Sequence, residues 1–262
     1  MAVIYTERSL PKYEALELRL RNLLLFLTAA LISIPVIWFL AVTPFLPFAQ
    51  IELTGAPGAD PLRLLRYAGI STKASFASLN PVEAESALRR AFHFESIALT
   101  KEYPNILKIN IETKDPVAIA LVELDEKTTP VYFDSNGVVV QIGHMLTGNF
   151  PIVSGDVFNV PQVGEYLIPP ELTGFLPELD RLRVETPDLL LAISEIRIDQ
   201  RSYGYDLVVY LAYYTARIRM SSMLDAETLK YALLFVDAAR ASGKTSQEFD
   251  FRSGRTATYT AD

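Results

Sequence analysis

The chain of 262 residues carries 24 Lys+Arg against 31 Asp+Glu, a net charge of -7, and no cysteine. An acidic total opposes duplex binding, which needs surplus cations to displace counterions, and the lack of cysteine excludes disulfides, thiolate zinc sites and cysteine nucleophiles. Half of the residues are hydrophobic and the histidines are two, His93 and His144, a composition poor in the usual catalytic side chains.

No charged residue occurs from Asn22 to Thr43. Leu23–Val42 supplies about 20 residues and roughly 30 Å of helix, one hydrocarbon thickness. Pro35 is tolerable there because freed carbonyls are re-satisfied locally in a bilayer. Trp38, Phe39 and Phe45 gather near the far end, where aromatic rings favour the interface. Arg8, Lys12, Arg19 and Arg21 precede the span and the next basic residue is Arg63, which predicts a cytoplasmic N-terminus and an exported remainder. A cleavable signal would have a shorter apolar run and small residues before the cut. Pro47 and Phe48 spoil the one plausible site, so the reading is an uncleaved single-pass anchor.

Ala49–Leu53 alternates like a half-buried strand and ends at Thr54-Gly55. Asp60 and Pro61 are cap and first turn of a helix stopped by Gly69, and Asn80-Pro81 opens a second one. Strands Ser96–Tyr103 and Leu107–Thr113 follow around Pro104-Asn105. The order is strand, helix, helix, strand, strand.

After Pro116 the pattern is mostly β. Val117–Val122 reads as a buried strand, and Val131–Phe133 and Val138–Val140 flank the Asp134–Gly137 hairpin turn. Pro151–Gly155 closes a unit. Glu171 to about Leu191 is helical, interrupted at Pro177 and Pro187. Glu195–Gln200, Asp206–Leu211 and Ala216–Met220 are three strands, and Leu224–Ala241 is the longest amphipathic helix. Glu248–Arg252 and Arg255–Tyr259 form short strands around Ser253-Gly254.

A search for reactive constellations returns structural readings instead. Gly243-Lys244-Thr245 mimics a phosphate loop but ends a helix where such a loop must precede one. The S-x-x-K match at Ser9–Lys12 lies ahead of the anchor without supporting motifs. His93 and His144 have no metal ligand at suitable spacing, and Asp134 is explained by its turn. Tyr203, Tyr205, Tyr210, Tyr213 and Tyr214 are better explained by sheet packing than by stacking on glycan sugars.

The run from Phe48 to Ala118, with its strand ending at Gly55, its Gly69-Ile70 and Leu79-Asn80 helix boundaries and Tyr103-Pro104…Ile111-Glu112…Pro116-Val117, resembles the POTRA domain of the bacterial cell-division family FtsQ/DivIB. "YFDSNGVVV", "FPIVSG" and "EFDFRSGRTATY" resemble landmarks of that family's second domain. The implied fold is α+β: a cytoplasmic tail (1–22), a transmembrane helix (23–43), a POTRA domain of order β-α-α-β-β (44–115), and a mixed β-rich domain with flanking helices (116–262). The resemblance implies a non-enzymatic protein of the septal division complex, without cofactor or metal, recruited through its POTRA domain. It further implies that the terminal strand pairs with a segment of FtsB/DivIC, a coiled-coil protein bound with FtsL. The matching residues are Asp250, Arg252, Ser253, Gly254, Arg255, Thr256, Ala257, Thr258 and Tyr259. Amides alternate in direction along a strand, so one of Ala257 and Thr258 offers its N–H to the hairpin mate and the other to the open edge. Sequence leaves that parity open. Two other classes compete: a POTRA-bearing envelope assembly or secretion component, which predicts repeated POTRA units or a barrel, and an anchored peptidoglycan hydrolase, which needs a carboxylate pair placed by the fold.

Overall fold

The structure is a computed structural model describing residues 12–71, 73–243, 248–254 and 258–259, with the backbone alone for 12–15 and 258–259. Helix α1 (Lys12–Ala41) contains Pro35 and begins well before the apolar run, absorbing the charged segment that precedes it. Its hydroxyls are satisfied locally: Thr28 donates to the Leu25 carbonyl at 2.9 Å and Ser33 to that of Ala30 at 3.4 Å. None of its apolar stretch is buried against protein, and Leu23, Phe26, Leu31 and Trp38 are all exposed. A helix apolar all round needs a surrounding it does not find in its own chain, which is the property of a membrane anchor.

Next come β1 (Gln50–Thr54), α2 (Pro61–Tyr67), α3 (Pro81–Ala91), β2 (Ser96–Glu102) and β3 (Ile106–Glu112), in the anticipated β-α-α-β-β order. The strands form a three-stranded sheet of order β1-β3-β2. Asp60 caps α2 by accepting the Leu62 N–H at 2.9 Å, with Pro61 in the first turn where no amide is needed. Gly55 must be glycine. Its φ is +86°, and a Cβ there would stand 1.8 Å from the Ile111 carbonyl oxygen. Ile97 and Leu99 of β2 and Leu107, Ile109 and Ile111 of β3 alternate into the core, as do Ala84 and Leu88 of α3.

By compactness the chain divides into two units. One gathers the described residues up to Glu52 with Ser71–Asn80 and Thr100–Lys108. The other gathers Leu53–Ile70, Pro81–Leu99 and everything from Ile109 onward. The division runs across β1, β2 and β3.

In the second unit, β4 (Ala118–Leu124), β5 (Lys127–Phe133), β6 (Val139–Ile142), β7 (Ile152–Ser154), β8 (Ile193–Gln200), β9 (Tyr205–Leu211), β10 (Arg217–Met220), β11 (Glu248–Asp250) and β12 (Thr258–Tyr259) build one mixed sheet. Its order is β12-β11-β10-β9-β8-β7-β4-β5-β6. Pairs β4·β7, β7·β8 and β10·β11 are parallel. Helices α4 (Leu176–Glu185) and α5 (Pro187–Leu191) lie in the β7–β8 connection and α6 (Ala226–Ala241) in the β10–β11 connection, because a parallel return needs a crossover.

Two details depart from the sequence reading. Pro177 does not interrupt a helix; it sits in the first turn of α4 and opens it, while the break falls at Thr186 before Pro187. Strand β5 extends back to Lys127 despite Pro130, and its hairpin with β4 turns through Asp125 and Glu126, both at positive φ without a glycine. Pro130 has no N–H to offer, yet its carbonyl accepts the Gly143 amide at 2.9 Å.

Candidate partner-binding edge

The register of β8–β11 puts an apolar set on one face and a charged set on the other, the latter interleaved with buried Val208 and with Tyr210. Ile196, Ile198, Leu207, Val209, Ile218, Met220 and Phe249 share one face and are buried. Helix α6 packs there, with the Phe235 ring 5.6 Å from Phe249 and 5.9 Å from Phe251, both edge-on. Arg197, Asp199, Asp206, Arg217, Arg219, Glu248 and Asp250 share the other face.

Arg219 is the hub of that second face. Its Nη1 lies 2.7 Å from Asp199 and its Nε 2.7 Å from Glu248, and Glu248 also takes Arg217 at 2.5 Å. Asp206 accepts Arg201 and Arg252, each at 3.2 Å, and Arg252 reaches Asp250 at 2.7 Å. Hydrogen bonding to Arg219 holds the Asp199 carboxyl below its ordinary value, and Arg252 does the same for Asp250. Burial alone would raise Glu248, but bonds from Arg219 and Arg217 outweigh it and its pKa is lowered. Burial would likewise depress Arg219, and its two carboxylate bonds reverse that sign. In this network Arg201, Arg217, Arg219 and Arg252 balance Asp199, Asp206, Glu248 and Asp250, so it adds no net charge to the face.

The hairpin that ends the sheet grows from this ladder. The Gly254 N–H closes a turn onto the Phe251 carbonyl at 2.9 Å, with Gly254 at φ +86°. The Arg252 N–H bonds the Asp250 carboxylate at 3.0 Å. Strand β12 then pairs antiparallel with β11, Phe249 opposite Tyr259 and Asp250 opposite Thr258. Among the described residues, no strand lies beyond β12.

The ladder also resolves the parity. The Phe251 amide donates to the Arg219 carbonyl at 2.8 Å, and Arg219 is the register partner of Asp250. In a parallel pair this arrangement turns the amides and carbonyls of Phe249 and Phe251 toward β10 and those of Asp250 away from it. Asp250 therefore exchanges bonds with Thr258, so Thr258 points its N–H and C=O inward. Tyr259, one residue on, points its own to the open edge. Arg255, Thr256 and Ala257 lie outside the described residues, as do the side chains of Thr258 and Tyr259.

At the sheet's other end the start of β6 is paired. Val139 of β6 donates its N–H to the Glu165 carbonyl at 2.9 Å and accepts the Gly164 N–H at 2.8 Å, and Val138 bridges Tyr166. The same loop receives the His93 amide on the Gly164 carbonyl, and the His93 ring lies 4.3 Å from Tyr166.

The remaining singled-out residues do not converge. Tyr203 is 99% exposed at the β8–β9 turn and Tyr205 is buried against Phe175, while Tyr213 and Tyr214 leave the opposite end of β9. Tyr214 bonds Asp237 at 2.5 Å. Asp134 accepts the Asn136 and Val138 amides at 2.8 and 2.9 Å in its turn. Among the described residues no three His, Asp or Glu side chains cluster as metal ligands. Lys244-Thr245 and Ser9 lie outside the described residues. Sequence reasoning missed Asp199, Asp206, Arg219 and Glu248. The alternation Arg-Ile-Arg-Met and Glu-Phe-Asp-Phe marks them as one-faced, but pairing them needs the register.

No protein-family model matches the chain. It is 24% identical over 155 residues to the cell division protein DivIB of Bacillus cytotoxicus, an alignment covering 59% of this chain and 54% of that protein. The chain thus spans about half the length of the curated relative it matches, and the homology is weak. It links a membrane-anchored chain with a β-α-α-β-β module to cell-division and envelope-assembly proteins.

Proposed function

We propose that the chain is a non-enzymatic, single-pass assembly protein of the septal division complex, and that its β12 edge accepts a strand from an FtsB/DivIC-type partner held with an FtsL-type coiled coil. The observation that carries this is the open edge: among the described residues β12 is the last strand of the sheet, and the outward amide and carbonyl of Tyr259 offer a template for an added strand. The weak homology to DivIB gives the biological setting. Arg19 and Arg21 before the span, with no basic residue after it until Arg63, support an N-terminus in the cytoplasm and a sheet on the outer side.

Recruitment to the septum is assigned to the β-α-α-β-β module, on its exposed helix faces. Of the charged residues there, Arg63 is engaged by Glu165 at 2.5 Å and Arg89 by Glu85 at 3.0 Å. Arg66, Glu83 and Arg90 stand exposed.

Depletion in the native host tests the reading. Depleted cells are expected to filament, the parent chain to restore division, and deletion of 49–115 to disperse a fluorescent fusion around the envelope. The full chain with Tyr259→Pro should reach mid-cell and fail to retain the partner. Normal division after depletion would overturn the proposal, and turnover of purified cell-wall material by the chain would replace it with a hydrolase.

A further inference from the structure

The first compact unit shows how the membrane helix ends, and three segments far apart in sequence meet there. Helix α1 stops at Ala41, a 3-10 turn covers Thr43–Phe45, and β1 starts at Gln50. The Ala77 amide donates to the Pro44 carbonyl at 3.0 Å, the Phe48 amide to Ala74 at 3.1 Å, and the Ala49 amide to Asn105 at 2.9 Å. Pro47 and Ser75 form an antiparallel bridge. Segments 43–49, 73–80 and 101–105 thus make one base around the helix end.

The decisive contact is Tyr103. The last carbonyls of any helix lack an intrahelical donor, and at the margin of hydrocarbon an unsatisfied one is costly. The Phe39 carbonyl, in the final turn of α1, receives the Tyr103 hydroxyl at 2.5 Å together with that of Thr43. The Tyr103 ring lies edge-on to Phe39 at 5.5 Å and to Phe76 at 6.0 Å. Lys101 sits over the Phe76 ring at 4.8 Å, its ammonium bonded to the Phe76 and Leu79 carbonyls at 2.8 and 2.9 Å. A residue of the β2–β3 turn therefore caps the end of the apolar helix.

We infer that this base is a second membrane-contacting surface, seated on the phospholipid interface of the outer leaflet. Phe45 is 70% exposed, Leu46 44% and Tyr103 39%, an apolar and amphipathic set beside the helix end. Aromatic rings with a polar tip favour this depth, and exposed Lys73 supplies a cation toward headgroup phosphates. The occupant is the bilayer because the surface continues the anchor: Phe39, which Tyr103 caps, belongs to the membrane-crossing run. The consequence is that the module's base is occupied by lipid, leaving its other surfaces for protein partners. The inference rests on the anchor reading.

The test uses the full chain in phospholipid nanodiscs with lipids brominated near the headgroup. Trp38 is the single native tryptophan and reports the anchor. In a Trp38→Phe background, Ala77→Trp places the reporter in a segment outside the span, beyond α2 in sequence, and Lys73→Trp repeats the reading if Ala77→Trp does not fold. Emission of either reporter should fall about twofold in brominated discs relative to unbrominated ones, as expected for interfacial indole. Quenching of Trp38 without quenching of either reporter would overturn the inference and leave the anchor intact. Loss of quenching at Trp38 as well would overturn the anchor reading itself.

Discussion

The two ends of the nine-stranded sheet are built from the same backbone and left in opposite states. At β6, Val139 spends both its amide and its carbonyl on the loop at Gly164 and Glu165. At β12, Tyr259 turns the equivalent groups outward, and no described strand receives them. A paired edge contributes to folding, and under the proposed function the open edge is the one that binds, so equal lesions should separate the two.

The largest effect should come from undermining the open edge from below. Phe249 is buried against Phe235, and Phe249→Ala removes an aromatic core side chain for about 3–5 kcal/mol. Chemical denaturation should register this loss, and binding should weaken with it.

Proline at the outward position of each edge gives the direct comparison. Val139→Pro deletes a bonded N–H and leaves the Glu165 carbonyl unpaired, costing about 1–3 kcal/mol before the lost valine packing is counted. Its melting temperature should fall. Tyr259→Pro deletes an amide that faces away from β11 and meets no strand among the described residues, so melting should stay near the parent's. Partner affinity should fall by about 5–150-fold, equivalent to roughly 1–3 kcal/mol. Tyr259→Ala separates the side chain from the amide, and Thr258→Pro should instead unpair the hairpin from Asp250. Equal binding by Tyr259→Pro and the parent in titration calorimetry would move the docking edge elsewhere.

The smallest effect is acid sensitivity, of opposite sign at the two ends. Asp199, Glu248 and Asp250 have lowered pKa values. Their stabilisation is present above the unfolded carboxylate range near pH 4 and is lost as pH falls through the lower folded values. Asp134, in the β5–β6 turn, is raised because its burial outweighs the amides of Val138 and Asn136. Its protonation favours the folded form as pH falls toward the unfolded value. Hydrogen exchange across about pH 6 to 3 should therefore show the β11–β12 hairpin losing protection before the β5–β6 turn does.

Local features were legible in the residues where one local cause dominates. The uncharged run, the Asp60-Pro61 cap, the Gly55 stop and the Asn136-Gly137 turn each follow from chemistry within a few positions. The structure reports α1, α2, β1 and the β5–β6 hairpin accordingly. Pro177 shows the limit, because the same missing amide breaks a helix from inside and opens one from its first turn. Only the segment's true start decides. The candidate edge was half legible: Glu248–Tyr259 reads as a hairpin, yet its position at the rim depends on how β10 and β11 pair.

By itself the sequence determined the anchor, the order of elements and the alternation that gives each strand an apolar and a polar face. These depend on composition and on periods of two or about four residues. Tertiary structure alone decided that β12 is terminal, that Tyr259 rather than Thr258 faces outward, that Arg219 meets Asp199 and Glu248, and that Tyr103 caps Phe39. Each of those is a pairing between segments distant along the chain. Register is fixed by the summed burial of a whole face and by crossovers through α4, α5 and α6, and no local window contains that sum.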